Sequence, residues 1–335
     1  MDNLVQSPKI AEFLFRVLPN VSHIRYGKSI TSHTAEKQKG TKMKNVSIKK
    51  IIFAILTLVV GFGLNLLSSY LLVKLTNKVF PNYFFQEFIT ELAFAIISIT
   101  LIIIAKKKSL LTFSKKGMID GLKAGAPLII YSVLLILISL GELSKHTLIK
   151  GWEIALFVAN CLLIGIAEEA LFRGAVQELV FDAIGTDSRK KEIVGIIVAS
   201  TLFGMSHFIN LFAGVSVSAV TFQALSAVAT GMVFGAICLL SGRRIWAAAL
   251  AHAVMDFAAF FNSGLLWGTN IKGAIDGLSV GTLISALFNI GLFIFLMKPK
   301  NEEQNKKKNL VAIILVASIV VVAFLFLIPV IMTSL

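Results

Sequence analysis

Apolar residues in this chain do not alternate with polar ones at strand spacing. They come in long runs separated by short polar, Gly- or Lys-containing breaks. A helix crossing a bilayer core needs about 20 mostly apolar residues. Nine runs of that length are expected, at 51–73, 85–105, 118–140, 152–176, 193–213, 217–241, 245–262, 278–297 and 310–332. The second run is the weakest. Glu87 and Glu91 shorten its uncharged part, so a tilted or interfacial helix is an alternative there and the count is eight or nine. Between Glu192 and Arg243 the one side chain able to carry a charge near neutral pH is His207, and so long a stretch is read as two spans joined by a turn at 213–216. The expected fold is all-α: a polytopic transmembrane helical bundle preceded by a polar, cytoplasmic N-terminal tail.

Composition narrows the class. Hydrophobic residues make up 56% and charged residues 15% of 335, with a mean hydropathy of +0.85. A soluble domain carries roughly a quarter charged residues, so a soluble globular enzyme is excluded. The net charge of +14 raises the question of nucleic acid. No basic segment is interleaved with stacking aromatics, and the Lys and Arg lie in loops between apolar runs, so no nucleic-acid partner is expected. With residues 1–45 in the cytoplasm, the alternate loops on that side hold 16 Lys and Arg against 5 on the other. That asymmetry is what the positive-inside rule requires, and it places the C-terminus outside. Trp152, Trp246 and Trp267 fall at or just beyond span ends, at headgroup level. Cys161 and Cys238 lie inside apolar runs and read as small buried hydrophobes rather than a disulfide. The N-terminus has no pattern of a cleaved signal peptide. Within the tail a short amphipathic helix is expected near 10–17.

Ionisable groups inside spans cost roughly 2.5 to 3.5 kcal/mol each on insertion scales. Six sit well inside: Glu168, Glu169 and Arg173 on the fourth span, His207 on the fifth, His252 and Asp256 on the seventh. Glu169 and Arg173 are four apart, on one helix face, and can neutralise each other. Glu168 is turned by about 100° from its neighbour and has no partner on its own helix, which makes it the better working carboxylate. Phe203 lies one turn below His207 and can shield the imidazole. His252 and Asp256, at i and i+4, can share one cavity, the carboxylate orienting the ring. Three helices each presenting acid or imidazole at membrane depth point to convergence. Otherwise each group would have to be neutralised separately.

Two mechanisms suit this set. In one, Glu168, His207 and His252 hold a zinc ion whose water attacks a carbonyl. In the other no cofactor is needed: Glu168 and His207 polarise a water while His252 and Asp256 stabilise the oxyanion, and the residues alone leave the choice open. Both hydrolyse an amide within the membrane. Counted along the expected spans, Glu168 and His252 lie about 12 Å and 10 Å from the cytoplasmic ends of their helices, and His207 about 20 Å. Agreement in depth requires the fifth helix to begin near Val198 or to tilt, leaving 191–195 interfacial. Gly231 and Gly235 form a small-residue face, read as internal packing in preference to an oligomer contact.

The elements Glu168-Glu169-Ala170-Leu171-Phe172-Arg173-Gly174, Phe203-x-x-x-His207 and His252-x-x-x-Asp256, in this order, resemble the CAAX prenyl protease and bacteriocin-processing (CPBP, Abi-type) family of intramembrane proteases. Gly231-Met232-Val233-Phe234-Gly235 and the turn Ser241-Gly242-Arg243-Arg244-Ile245-Trp246 add to the likeness, which covers about 150–262. The resemblance implies a membrane endopeptidase opening toward the cytoplasm, with Glu168 and His207 activating water, His252 with residue 256 forming the oxyanion site, and the mechanism without a cofactor favoured. Glu169, Arg173 and Phe203 would support them. One departure is Asp256, where the family often has Asn. An ionised Asp cannot donate to an oxyanion, so Asp256 is either protonated or orients His252. The substrate would be a peptide or protein tail, prenylated or a secreted-peptide precursor. The chain divides into the tail (1–45), N-terminal helices (46–150), a protease-like core (151–262) and C-terminal helices (263–335). Readings from other classes are a non-catalytic scaffold or bacteriocin-immunity protein with this fold, and a proton-coupled transporter. The transporter would call for an inverted repeat, which the sequence does not display.

Overall fold

The computed structural model describes residues 46–141, 149–266, 268, 271–278 and 281–298. The N-terminal tail with its expected amphipathic helix, Trp267, the ninth run at 310–332 and the C-terminal side assignment lie outside these residues. The described residues are helical throughout, with no strand among them. In chain order the helices are α1 (Ile48–Thr76), α2 (Tyr83–Ile104), α3 (Lys115–Ser139), α4 (Gly151–Glu169), α5 (Gln177–Ile184), α6 (Arg189–Ser206), α7 (Val217–Leu240), α8 (Trp246–Ala259), α9 (Ile271–Asp276) and α10 (Thr282–Leu296). Among the described residues six helical segments are long and apolar enough to cross a bilayer: α1, α2, α3, the rod Gly151–Ile184, Arg189–Leu211 and α7. The chain is a multi-pass membrane protein. The runs expected at 245–262 and 278–297 form shorter helices, α8 and α10, of 14 and 15 residues. At 1.5 Å per residue they rise only about 21–23 Å.

Helix starts follow local chemistry. Asn82, Ser114, Ser188 and Ser216 each accept a backbone N–H of the first turn of α2, α3, α6 and α7, which satisfies a donor the helix leaves unpaired. The second run, despite Glu87 and Glu91, forms one continuous helix of 22 residues. α7 is the central element. Its buried residues Val233, Phe234, Ala236, Ile237 and Cys238 join Ile196 of α6 and Ala247, Ala248 and Ala251 of α8 in the main core. α1 keeps a broad apolar face exposed, with Val59, Leu67 and Tyr70 among its outward residues, as expected of a helix whose solvent is lipid. Cys161 and Cys238 are free and buried.

The fourth run does not stop at 176. A π-helical segment, Ala170–Val176, carries it into α5 and on to Ile184, where Gly185 (φ 87°) ends the rod. This corrects the depth arithmetic. Glu168 lies about 24 Å from the Ile184 end of the rod and His207 about 27 Å from the Arg189 end of α6, so the two agree without a shortened fifth helix. α6 begins at Arg189 rather than near Val198, and Gly195 is buried against Phe181. The helix α8 is registered separately. Arg243, in the turn before it, pairs with both carboxylate oxygens of buried Glu178 on α5, at 2.9 Å through Nε and also through Nη2. Trp246 Nε1 donates to the Leu111 carbonyl at 2.9 Å. From these anchors His252 and Glu168 are nine and ten residues back along their helices, about 14–15 Å each. Arg189 donates to the Leu296 and Met297 carbonyls, capping α10.

Glycine permits the close approach of α4 and α8. A Cβ at Gly165 would lie 2.5 Å from the Ala249 carbonyl oxygen and 3.0 Å from the Ala253 nitrogen, both backbone atoms of α8. Gly165→Ala is expected to push these helices apart and to destabilise the fold by about 1–3 kcal/mol, the usual cost of overpacking. Thermal unfolding in detergent should show a midpoint several degrees lower, whereas Gly151→Ala, whose Cβ meets nothing within 4 Å, should leave it nearly unchanged.

Candidate active site

The structure brings the polar residues of α4, α6 and α8 to one place. Arg173, 1% exposed, donates through Nη1 to Glu169 Oε1 at 2.8 Å and through Nη2 to the Gly231 carbonyl of α7 at 3.0 Å. Its guanidinium lies over the rings of Phe203 (4.6 Å) and Phe234 (5.4 Å). Gly231 is required by this contact, since a Cβ would meet Phe203 at 2.9 Å and Arg173 at 3.0 Å. At Gly235 it would meet Gln177 at 2.6 Å and Ile196 at 2.7 Å. The small-residue face of α7 is therefore spent on internal packing, as expected.

His252 is buried and held on three sides. Its Nδ1 is 2.9 Å from the same Glu169 oxygen that takes Arg173. Its ring stacks on Phe234, with centroids 4.5 Å apart and planes 20° from parallel. Its Nε2 points the other way, 3.6 Å from Glu168 Oε2 and 3.5 Å from Asp256 Oδ2. Glu168 keeps 20% of its side chain exposed, whereas Glu169 is fully buried. Neighbouring carboxylates thus stand in different surroundings, Glu169 buried against the arginine and Glu168 partly exposed. The π-helical segment begins directly after them, a distortion often found at functional sites.

His207 opens the short 3₁₀ turn His207–Leu211 at the end of α6 and is half-buried. Phe203 lies between the two imidazoles, 5.1 Å from the His207 ring and 6.1 Å from that of His252. The expected shielding of His207 by Phe203 is present, and the same ring also touches His252. His207 makes no ion pair with a carboxylate among the described residues, whereas Glu168 does face His252.

Reading the residues alone leaves two roles unseen. Asp256, expected either to carry a proton or to orient His252, lies by Nε2, while Nδ1 is hydrogen-bonded to Glu169 on another helix, a contact no intrahelical spacing signals. Glu87 and Glu91 of α2 were read only as a weakness of a span. Glu91 instead lies within electrostatic reach of Glu168 and Asp256. Among the described residues no group of three or more His, Cys, Asp or Glu side chains is placed to hold a metal ion.

Residues 150–258 match the family model described as type II CAAX prenyl endopeptidase Rce1-like. Over this stretch, about a third of its length, the chain is similar to that endopeptidase family. No curated protein matches the chain. The matched segment runs from α4 to the last turn of α8 and contains every residue of the cluster just described.

The Arg173–Glu169 pair sets a test. Removing one partner of a buried pair leaves an uncompensated charge, typically at a cost of 3–5 kcal/mol. Glu169→Leu is expected to lower stability by about that much, and Glu169→Leu with Arg173→Met to recover most of it. Chemical unfolding of the two variants in detergent gives the comparison.

Proposed function

We propose that the chain is an intramembrane endopeptidase that hydrolyses a peptide bond in a peptide or protein tail, using Glu168, His207, His252 and Asp256. The observation carrying this reading is the 3.6 Å approach of Glu168 to His252 Nε2 at the mouth of a buried polar cluster, in a segment matching an endopeptidase family. Glu168 and His207 flank the opening and take a proton from the attacking water. As the water oxygen bonds to the carbonyl carbon, the carbonyl oxygen gains negative charge. With Nδ1–H donated to Glu169, the doubly protonated ring of His252 also carries an Nε2–H that donates to that oxyanion, and Asp256 supplies a second donor when its carboxyl carries a proton. The proton held by Glu168 then passes to the leaving amine as the C–N bond breaks. Glu169, Arg173, Phe203 and Phe234 keep the imidazole in place.

The positive-inside distribution of Lys and Arg supports an opening toward the cytoplasmic leaflet and a cytoplasmic N-terminus. Prenylated tails, the substrate class in the family description, and secreted-peptide precursors are the substrates to try. The pathway as drawn needs no cofactor.

Glu168→Ala in lipid nanodiscs should reduce cleavage of a prenylated CAAX peptide at least 10³-fold, with insertion and thermal stability retained. A smaller loss, within tenfold of wild type, would remove Glu168 from the chemistry. In the same assay, wild-type activity is expected to survive a chelator. Loss on chelation with recovery on adding zinc would favour the metal mechanism.

A further inference from the structure

Hydrolysis consumes one water per turnover: its oxygen ends on the new carboxyl group, and its hydrogens are divided between the two products. A site about 24 Å along the rod from its Ile184 end needs a path by which that water arrives. Beside the cluster lies a cleft of about 30 Å³ between α2, α4 and the turn after α8, lined by Tyr83, Glu87, Asn160, Cys161, Ile164 and Phe260 among others. A water needs about 10–15 Å³ and two to four polar partners, so this cleft holds about two.

Its polar lining is unexplained by the fold. Asn160 is 6% exposed and donates to the Phe84 carbonyl at 3.1 Å, but its Oδ1 has no partner. Glu87 has Tyr83 as its hydrogen-bond partner, and Glu91 sits one turn further along α2. The charged groups facing Glu91 are Glu87, Glu168 and Asp256, all acidic. Among the described residues no Lys, Arg or His pairs with either α2 glutamate. Packing does not account for two such acids in an apolar helix, and an acceptor that the Tyr83 hydroxyl does not serve, Asn160 Oδ1, is of the kind ordered water satisfies. Asn160 is eight residues before Glu168, and Phe260 is eight after His252, so the cleft lies about 12 Å from the site along both helices.

We propose that this cleft is the route by which water reaches the Glu168–His252 site, with Asn160, Glu87 and Glu91 holding the water along it. The proposal rests on the hydrolase reading, and its test separates the two. The full chain, with Cys161→Ala and Cys238→Ala, is reconstituted in nanodiscs and given a charged, membrane-impermeant methanethiosulfonate. Ile164→Cys, in the cleft, is expected to react at least tenfold faster than Leu162→Cys, which is on the exposed, lipid-facing side of α4 at nearly the same depth. Equal, slow rates would show a dry cleft and overturn the proposal even if cleavage persists.

The kinetic arm uses α2. Glu91→Leu places an apolar residue in an apolar helix, so folding is not at risk. It should lower kcat at least tenfold with KM within twofold, and Glu91→Gln, whose amide still holds water, should recover most of the loss. Unchanged kcat in Glu91→Leu would overturn the route even with the labelling contrast present. A protein that cleaves nothing yet shows the contrast keeps the hydrated cleft and loses only the protease reading.

Discussion

A cation buried among membrane helices has to meet an anion within hydrogen-bond reach, and the pairing of Arg173 with Glu169 is the contact on which this site depends. The arginine draws three helical elements together. It is attached to the π segment after α4, takes Glu169 from the preceding turn, and donates across to the backbone of α7 at Gly231. Glu169 then reaches α8 through His252. One carboxylate oxygen thus serves two cationic or donor groups, which fixes the imidazole before any substrate arrives. Such preorganisation lets a site meet developing charge without reorganising at the moment of reaction.

The rest of the core makes that pairing possible. Gly165 lets α4 and α8 approach until backbone touches backbone, and Gly231 leaves room for the guanidinium. Phe203 and Phe234 close over the arginine and the two histidines, replacing water with ring faces that suit cations. Farther along the rod, Glu178 and Arg243 fix how far α8 is pushed in relative to α5. Axial register and lateral spacing are therefore set by separate contacts, and the Glu168 to His252 approach follows from both.

Much of this was legible in the residue order. Long apolar runs announced a membrane bundle, because lipid demands helices whose backbone groups are satisfied internally. The spacing of Glu169 and Arg173 announced their pairing, because i and i+4 share a helix face. Convergence of Glu168, His252 and Asp256 was inferred from the cost of leaving each alone. Other features were hidden for physical reasons. The extension of the rod to Ile184 lies beyond the apolar run because Gln177, Glu178 and Asp182 interrupt it, whereas Glu178 is neutralised by Arg243, 65 residues away. The Glu169 to His252 bond joins residues 83 apart, and helical periodicity carries no information at that range. The acids of α2 read as defects of a span until their neighbours were in view.

The central claim is that one carboxylate, Glu169, holds His252 inside the membrane. Magic-angle-spinning NMR of the full chain in lipid, with ring-¹⁵N histidine and carboxyl-¹³C glutamate, measures that contact directly. The account predicts one imidazole Nδ1 strongly dephased by a glutamate carboxyl carbon, as a 2.9 Å hydrogen bond requires, with the effect lost in Glu169→Ala. No such dephasing, or dephasing that survives this substitution, would contradict it.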